Sequence, residues 1–203
     1  MSTISNKSIK VWDPLIRIFH WSLVCFFFIA YITEDDWMVI HSYAGYSVIL
    51  LLCFRILWGV AGTKFARFSN FITSFSTIKS YLKQLFSGNA KHYLGHNPAG
   101  GMMIMILIIS LILLTLSGLA LFSTEGNGPL AGTFFTQWPA KPLEGIHEFL
   151  ANFTILLVFV HICGVVISSM LHKENLIKSM TIGHKQLTDK SIFSCKSNKT
   201  LEK

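Results

Sequence analysis

The stretch Ile146–Leu171, IHEFLANFTILLVFVHICGVVISSML, decides how the rest of the chain is read. It is predominantly apolar and long enough to cross the hydrocarbon core of a bilayer as a helix. Two histidines, His147 and His161, stand fourteen residues apart within it. Fourteen residues is close to four helical turns, so both rings leave nearly the same face, roughly 21 Å apart along the axis. Histidine in an apolar span is costly and is generally retained for a purpose. One imidazole toward each side of the membrane asks for partners at two depths.

The other segments supply them. Of 203 residues, 52% are hydrophobic and 13% charged, about half the charge of a soluble domain, for which roughly 25% is usual. The charges concentrate in linkers and tail, so the apolar segments are solvated by lipid. A first span runs from Pro14 to about Thr33, with Asp13 as N-cap and proline at the first helical position. Its apolar part, Ile18 to Ile32, is interrupted by His20, Trp21 and Ser22. Lys7, Lys10 and Arg17 resemble the basic leader of a signal peptide, but Phe26-Phe27-Phe28 and Tyr31 offer no small-residue cleavage site, which favours a retained helix. A second span, Trp37 to Gly62, has Arg55 as its one interior full charge. Asn97-Pro98 opens a third, running to about Phe122, and a Gly/Pro-containing loop, Ser123 to Gly145, leads into the fourth.

Between the second and third spans lies a basic stretch with Lys64, Arg67, Lys79, Lys83 and Lys91. Phe68, Phe71, Ile72, Phe75, Ile78, Leu82, Leu85 and Phe86 recur there at helical spacing, an amphipathic stripe suited to the membrane surface. The expected fold is therefore an all-α membrane protein. Four transmembrane helices form a bundle, an amphipathic surface helix joins helices 2 and 3, residues 1–180 make one domain, and 181–203 form a polar, partly disordered tail. The net charge of +7 reports topology rather than nucleic acid. The N-terminus, the linker after the second span and the tail are basic, while the turn Glu34-Asp35-Asp36 is acidic, which puts both termini in the cytoplasm.

His20 lies near the cytoplasmic start of the first span, the level reached by His161, and His41 near the outer start of the second, the level of His147. The geometry predicts two bis-histidine sites, His20 with His161 and His41 with His147. Two axial imidazoles fill the open positions of a haem iron and suit electron transfer, and helical bundles commonly house such cofactors. Zinc would want four ligands at one point. Arg55, fourteen residues after His41, and Arg17, one turn before His20, are candidates to pair with haem propionates as bidentate donors. Lipid snorkelling is their plainer role. Gly45, Gly118 and Gly164 could open room for a flat macrocycle, or simply pack helices. His96, in His96-Asn97-Pro98-Ala99-Gly100-Gly101, could touch a propionate or a quinone headgroup, or sit at the surface. His172 and His184 read as interfacial or tail residues. Cys25, Cys53, Cys163 and Cys195 form no C-x-x-C or C-x-x-C-H motif, so any haem is non-covalent and the thiols are structural.

These residues resemble the bacterial cytochrome b561 family and the related b-type cytochrome subunit of nickel–iron hydrogenases. The likeness rests on Trp12-Asp13-Pro14 with Arg17 and Phe19-His20-Trp21, on His41-Ser42-Tyr43-Ala44-Gly45-Tyr46, and on Arg55-Ile56-Leu57-Trp58-Gly59. It continues in Gly95-His96-Asn97-Pro98 and His147-Glu148-Phe149-Leu150-Ala151-Asn152 with His161 beyond. It runs from about Val11 to Met180. It implies that His20, His41, His147 and His161 are axial ligands of two b haems in a bacterial inner-membrane respiratory protein. It also implies electron exchange between ubiquinone or menaquinone and a periplasmic cytochrome c, flavoprotein or hydrogenase. A superoxide:quinone oxidoreductase and a haem-free membrane anchor are the alternatives, and a homodimer is one assembly open to such a chain.

Overall fold

The computed structural model describes residues 8–34 and 37–186; what is expected of Cys195, of Asp35 and Asp36 and of most of the tail lies outside those residues. Helix α1 is Pro14–Ile32, α2 Met38–Ala61, α3 Phe75–Phe86, α4 Pro98–Thr124, α5 Ala140–His172 and α6 Leu176–Ile182. Helices α1, α2, α4 and α5 are long and apolar enough to cross a membrane, so the chain is an all-α membrane protein of the four-transmembrane-helix class. Few residues of each span are buried inside the protein itself. The large apolar side chains left on the outside, such as Leu50, Leu57, Phe159 and Met170, belong to a lipid-facing surface.

Local chemistry sets the helix starts as expected. The Asp13 carboxylate accepts from the Ile16 amide at 3.0 Å, and the Asn97 side chain accepts from the Gly100 amide at 2.7 Å. Each satisfies an amide that the first turn leaves without a partner. α5 begins six residues before the expected start, because Pro142 falls in its first turn, where a missing N–H costs nothing. The amphipathic stripe divides in two. Phe68–Asn70 is a 3₁₀ turn, and α3 starts afresh after Ser74, whose hydroxyl accepts from the Thr77 amide. Phe71, Ile78 and Tyr81 are buried.

The chain forms two compact units. Among the described residues the first comprises 8–18, 58–103 and 161–186, the second 19–34, 37–57 and 104–160. In the first, strand β1 (Ser8–Lys10) pairs antiparallel with β2 (His184–Gln186), Ile9 opposite Lys185. Gly183, at φ +84°, ends α6, and its carbonyl accepts from the Val11 and Trp12 amides at 2.9 and 3.1 Å. A Cβ at Gly183 would sit 2.8 Å from the Trp12 carbonyl oxygen, so this crossing requires glycine for both conformation and space. Ordered structure thus continues six residues into the expected tail. Three-residue strands are too short to show an alternating pattern, which is why the sequence hid them.

In the second unit the core includes Phe19, Phe27, Ala44, Val48 and Leu52. Thr154, fully enclosed, meets the Ser110 hydroxyl at 2.7 Å while donating to the Leu150 carbonyl. Both buried hydroxyls are thereby satisfied, as an apolar surround demands.

Candidate cofactor site

Within the second unit, the rings of His41 on α2 and His147 on α5 lie with centroids 6.0 Å apart and planes at 77°. The last carbonyls of α1 have no intrahelical amide to accept, and one of them, Ala30 O, lies 2.9 Å from His41 Nδ1. His147 Nδ1 lies 3.1 Å from the Leu114 carbonyl oxygen. A carbonyl can only accept, so both Nδ1 atoms carry the proton and both Nε2 atoms keep a lone pair. Neither Nε2 has a hydrogen-bond partner among the described residues. A metal–imidazole nitrogen bond is about 2 Å, so two imidazoles gripping one ion hold their ring centres roughly 6 Å apart. The observed spacing fits.

Both histidines line a cavity of about 400 Å³. Gly45 lines it too, and a Cβ added there would meet nothing within 4 Å. That cradle, the two protonated Nδ1 atoms and the ring spacing suit a planar macrocycle whose metal takes two axial imidazoles. Among the described residues no group of three or more His, Cys, Asp or Glu side chains could hold a metal ion by itself; a macrocycle would supply the coordination that two imidazoles leave open. The charged residues of the lining are Glu34, Glu125, Glu144 and Glu148, all acidic.

The other predicted residues are placed as follows. His20, on α1 in the second unit, packs edge-on to Trp21, and His161, on α5, belongs to the first unit. Arg55, in the second unit, is only 3% exposed, too enclosed for a side chain that merely reaches toward water. Arg17 donates through Nη1 to the Thr181 carbonyl, while its buried Nε has no partner among the described residues, an orphaned donor that suits an anionic group. His96 lies between the rings of Trp12 and Phe71, at 4.6 and 4.7 Å. Cys25, Cys53 and Cys163 are free thiols.

A cluster that sequence reading missed sits in the first unit. Glu174 receives His92 Nε2 at 2.7 Å and Lys185 Nζ at 2.9 Å. Lys185 also donates to the Tyr93 carbonyl at 3.1 Å, and the His172 ring lies 5.2 Å from that of His92. Burial alone would raise the Glu174 carboxyl, but hydrogen bonds from His92 and Lys185 outweigh it and hold the group below its usual range. Asp13 behaves likewise: burial opposes its charge, and hydrogen bonds from Thr63, Ile16 and Trp58 win. No local signal joins residues 92, 174 and 185.

The model of the family described as prokaryotic cytochrome b561 matches residues 11–183. A probable Ni/Fe-hydrogenase B-type cytochrome subunit of Rhizobium leguminosarum bv. viciae is 25% identical over 222 residues, covering 92% of each chain. A protein of the same description from Bradyrhizobium diazoefficiens is 23% identical over 223 residues, covering 92% of this chain and 89% of its own. No solved structure matches the chain.

Proposed function

The chain belongs to the prokaryotic cytochrome b561 family, and from that premise we propose that it is a di-haem carrier passing electrons between membrane quinone and a hydrogenase or another periplasmic redox partner. It is a multi-pass membrane b-type cytochrome. The observation that carries the proposal is the His41–His147 pair, with both Nδ1 atoms tied to carbonyls beside a cavity. Haem b, when bound, supplies a reversible one-electron couple.

His41 and His147 would hold the outer haem through their Nε2 atoms, an arrangement suited to electron transfer. Ala30 and Leu114 fix the two tautomers through their carbonyls, so no proton has to leave an imidazole before it binds metal. His20, on α1, and His161, on α5, would each be an axial imidazole donor to the second haem. Arg17 and Arg55 would each offer a guanidinium donor suited to a haem propionate. His96, between two aromatic rings, has its imidazole orientation set for a polar contact at the cytoplasmic mouth of α4. The basic N-terminus and α2–α4 linker support a topology with both termini in the cytoplasm of a bacterial inner membrane, in which the His41–His147 pair would lie toward the periplasm.

The partner class follows from the two hydrogenase cytochrome subunits that resemble the chain over nearly its full length. The superoxide reading is weaker. Four carboxylates and no lysine or arginine line the cavity, a field that repels an anion. The test is a potentiometric titration of the purified protein, followed by mixing with quinol and with oxidised hydrogenase partner or cytochrome c. Two components of equal amplitude, both reduced by quinol, are expected. A single component, or none, overturns the di-haem reading.

A further inference from the structure

Between Met102 and Phe122 the polar side chains are Ser110, Thr115 and Ser117. Ser110 meets Thr154, and Thr115 turns back to the carbonyls of Leu111 and Ile112 at 2.9 and 3.1 Å. Ser117 is the one that reaches a histidine. Its hydroxyl donates to the Leu114 carbonyl at 2.8 Å, and its oxygen lies 3.0 Å from His147 Nδ1. With its single proton already engaged, Ser117 can act toward His147 only as acceptor. The Nδ1–H of His147 is therefore shared between Ser117 Oγ and Leu114 O, whereas that of His41 has Ala30 O. The next residue also crowds the ring. A Cβ on Gly118 would sit 2.9 Å from His147 Cε1 and 3.3 Å from Nδ1, so any side chain there pushes the imidazole.

We propose that Ser117 and Gly118 are a positioning pair for His147, setting the angle of its ring against that of His41 and making it the more electron-rich of the two imidazoles. This rests on the reading of His41 and His147 as axial ligands. An acceptor on the outer nitrogen raises the basicity of the inner one, which favours the more positive, oxidised state of the metal it binds and lowers the potential. Removing the Ser117 oxygen leaves the Leu114 carbonyl alone with the proton, so the potential rises. The angle between two axial imidazole planes also sets the anisotropy of an oxidised low-spin iron, which electron paramagnetic resonance reads as its largest g value.

The experiment compares wild type, His147→Ala, Ser117→Ala and Ser117→Thr in lipid nanodiscs, measuring haem per chain, midpoint potentials and the resonance spectrum of the oxidised protein. If His147→Ala retains its full haem content, the axial-ligand reading itself fails, whatever Ser117→Ala does. Where His147→Ala loses one haem, Ser117→Ala is expected to keep both. Its upward shift in potential and its moved g value should fall on the component that His147→Ala removes, and Ser117→Thr should return both toward wild type. A titration and spectrum superimposable on wild type, or a shift confined to the other component, overturns the proposal. Should Ser117→Ala not assemble, Ser117→Cys keeps the volume with a weaker acceptor and carries the same expectation.

Discussion

His41 and His147 each give one nitrogen to a backbone carbonyl and keep the other unengaged beside a cavity, whereas His92 spends its Nε2 on Glu174 against Lys185. The first arrangement belongs to the second unit and the second to the first. In the one, half-buried imidazoles are satisfied on one nitrogen only, which leaves the other available to a ligand. In the other, acid and base are mutually satisfied, which leaves no coordination to offer and ties distant parts of the chain together. Histidine count alone does not separate the two uses. The partner of the second nitrogen does.

The contrast can be broken most directly at His147 or His41. Replacing either with alanine should remove one of two haems, and the same one in both variants. Pyridine haemochrome titration against protein concentration reads this, and loss of different components from the two variants would undo the pairing. Gly45→Leu should have a smaller effect of the same kind, lowering occupancy of that component by filling the cradle; full occupancy would show that the cavity is not where the cofactor lies.

In the first unit the expected losses are of stability. Lys185→Ala leaves the Glu174 charge buried without its cation and should cost about 3 kcal/mol, with the haem spectrum unchanged and the thermal midpoint lowered. Because the Glu174 carboxyl titrates lower in the folded chain than in the unfolded one, its contribution is complete above the ordinary carboxylate range and is lost as pH falls through the folded value. Melting curves taken from neutral into acid solution should show that loss in wild type and a flatter profile in Glu174→Gln; parallel profiles would remove Glu174 from the account. The smallest effect is expected at Asp13→Ala, about 1 kcal/mol for a lost N-cap, read as a lowered thermal midpoint.

Much of this was legible in the sequence because it is local. The spans follow from hydropathy, the starts of α1 and α4 from Asp13-Pro14 and Asn97-Pro98, and the four histidines from their positions within those spans. α5 began early because proline is silent in a first turn, and the stripe after Phe68 broke because a serine cap can restart a helix mid-pattern. The cluster of His92, Glu174 and Lys185 was not legible, since nothing within a few positions of each reveals an ion pair that closes over 82 residues.

What the chain determined by itself is where it enters the membrane and which imidazoles it carries there, because burial in lipid depends on runs of neighbouring residues. Tertiary structure alone decided how those imidazoles are held. Every residue has a carbonyl, and only the packing of α1 and α4 beside the rings selected Ala30 and Leu114 as the ones that accept their protons. Packing likewise set the 77° between the two ring planes, an angle that no spacing along a helix encodes.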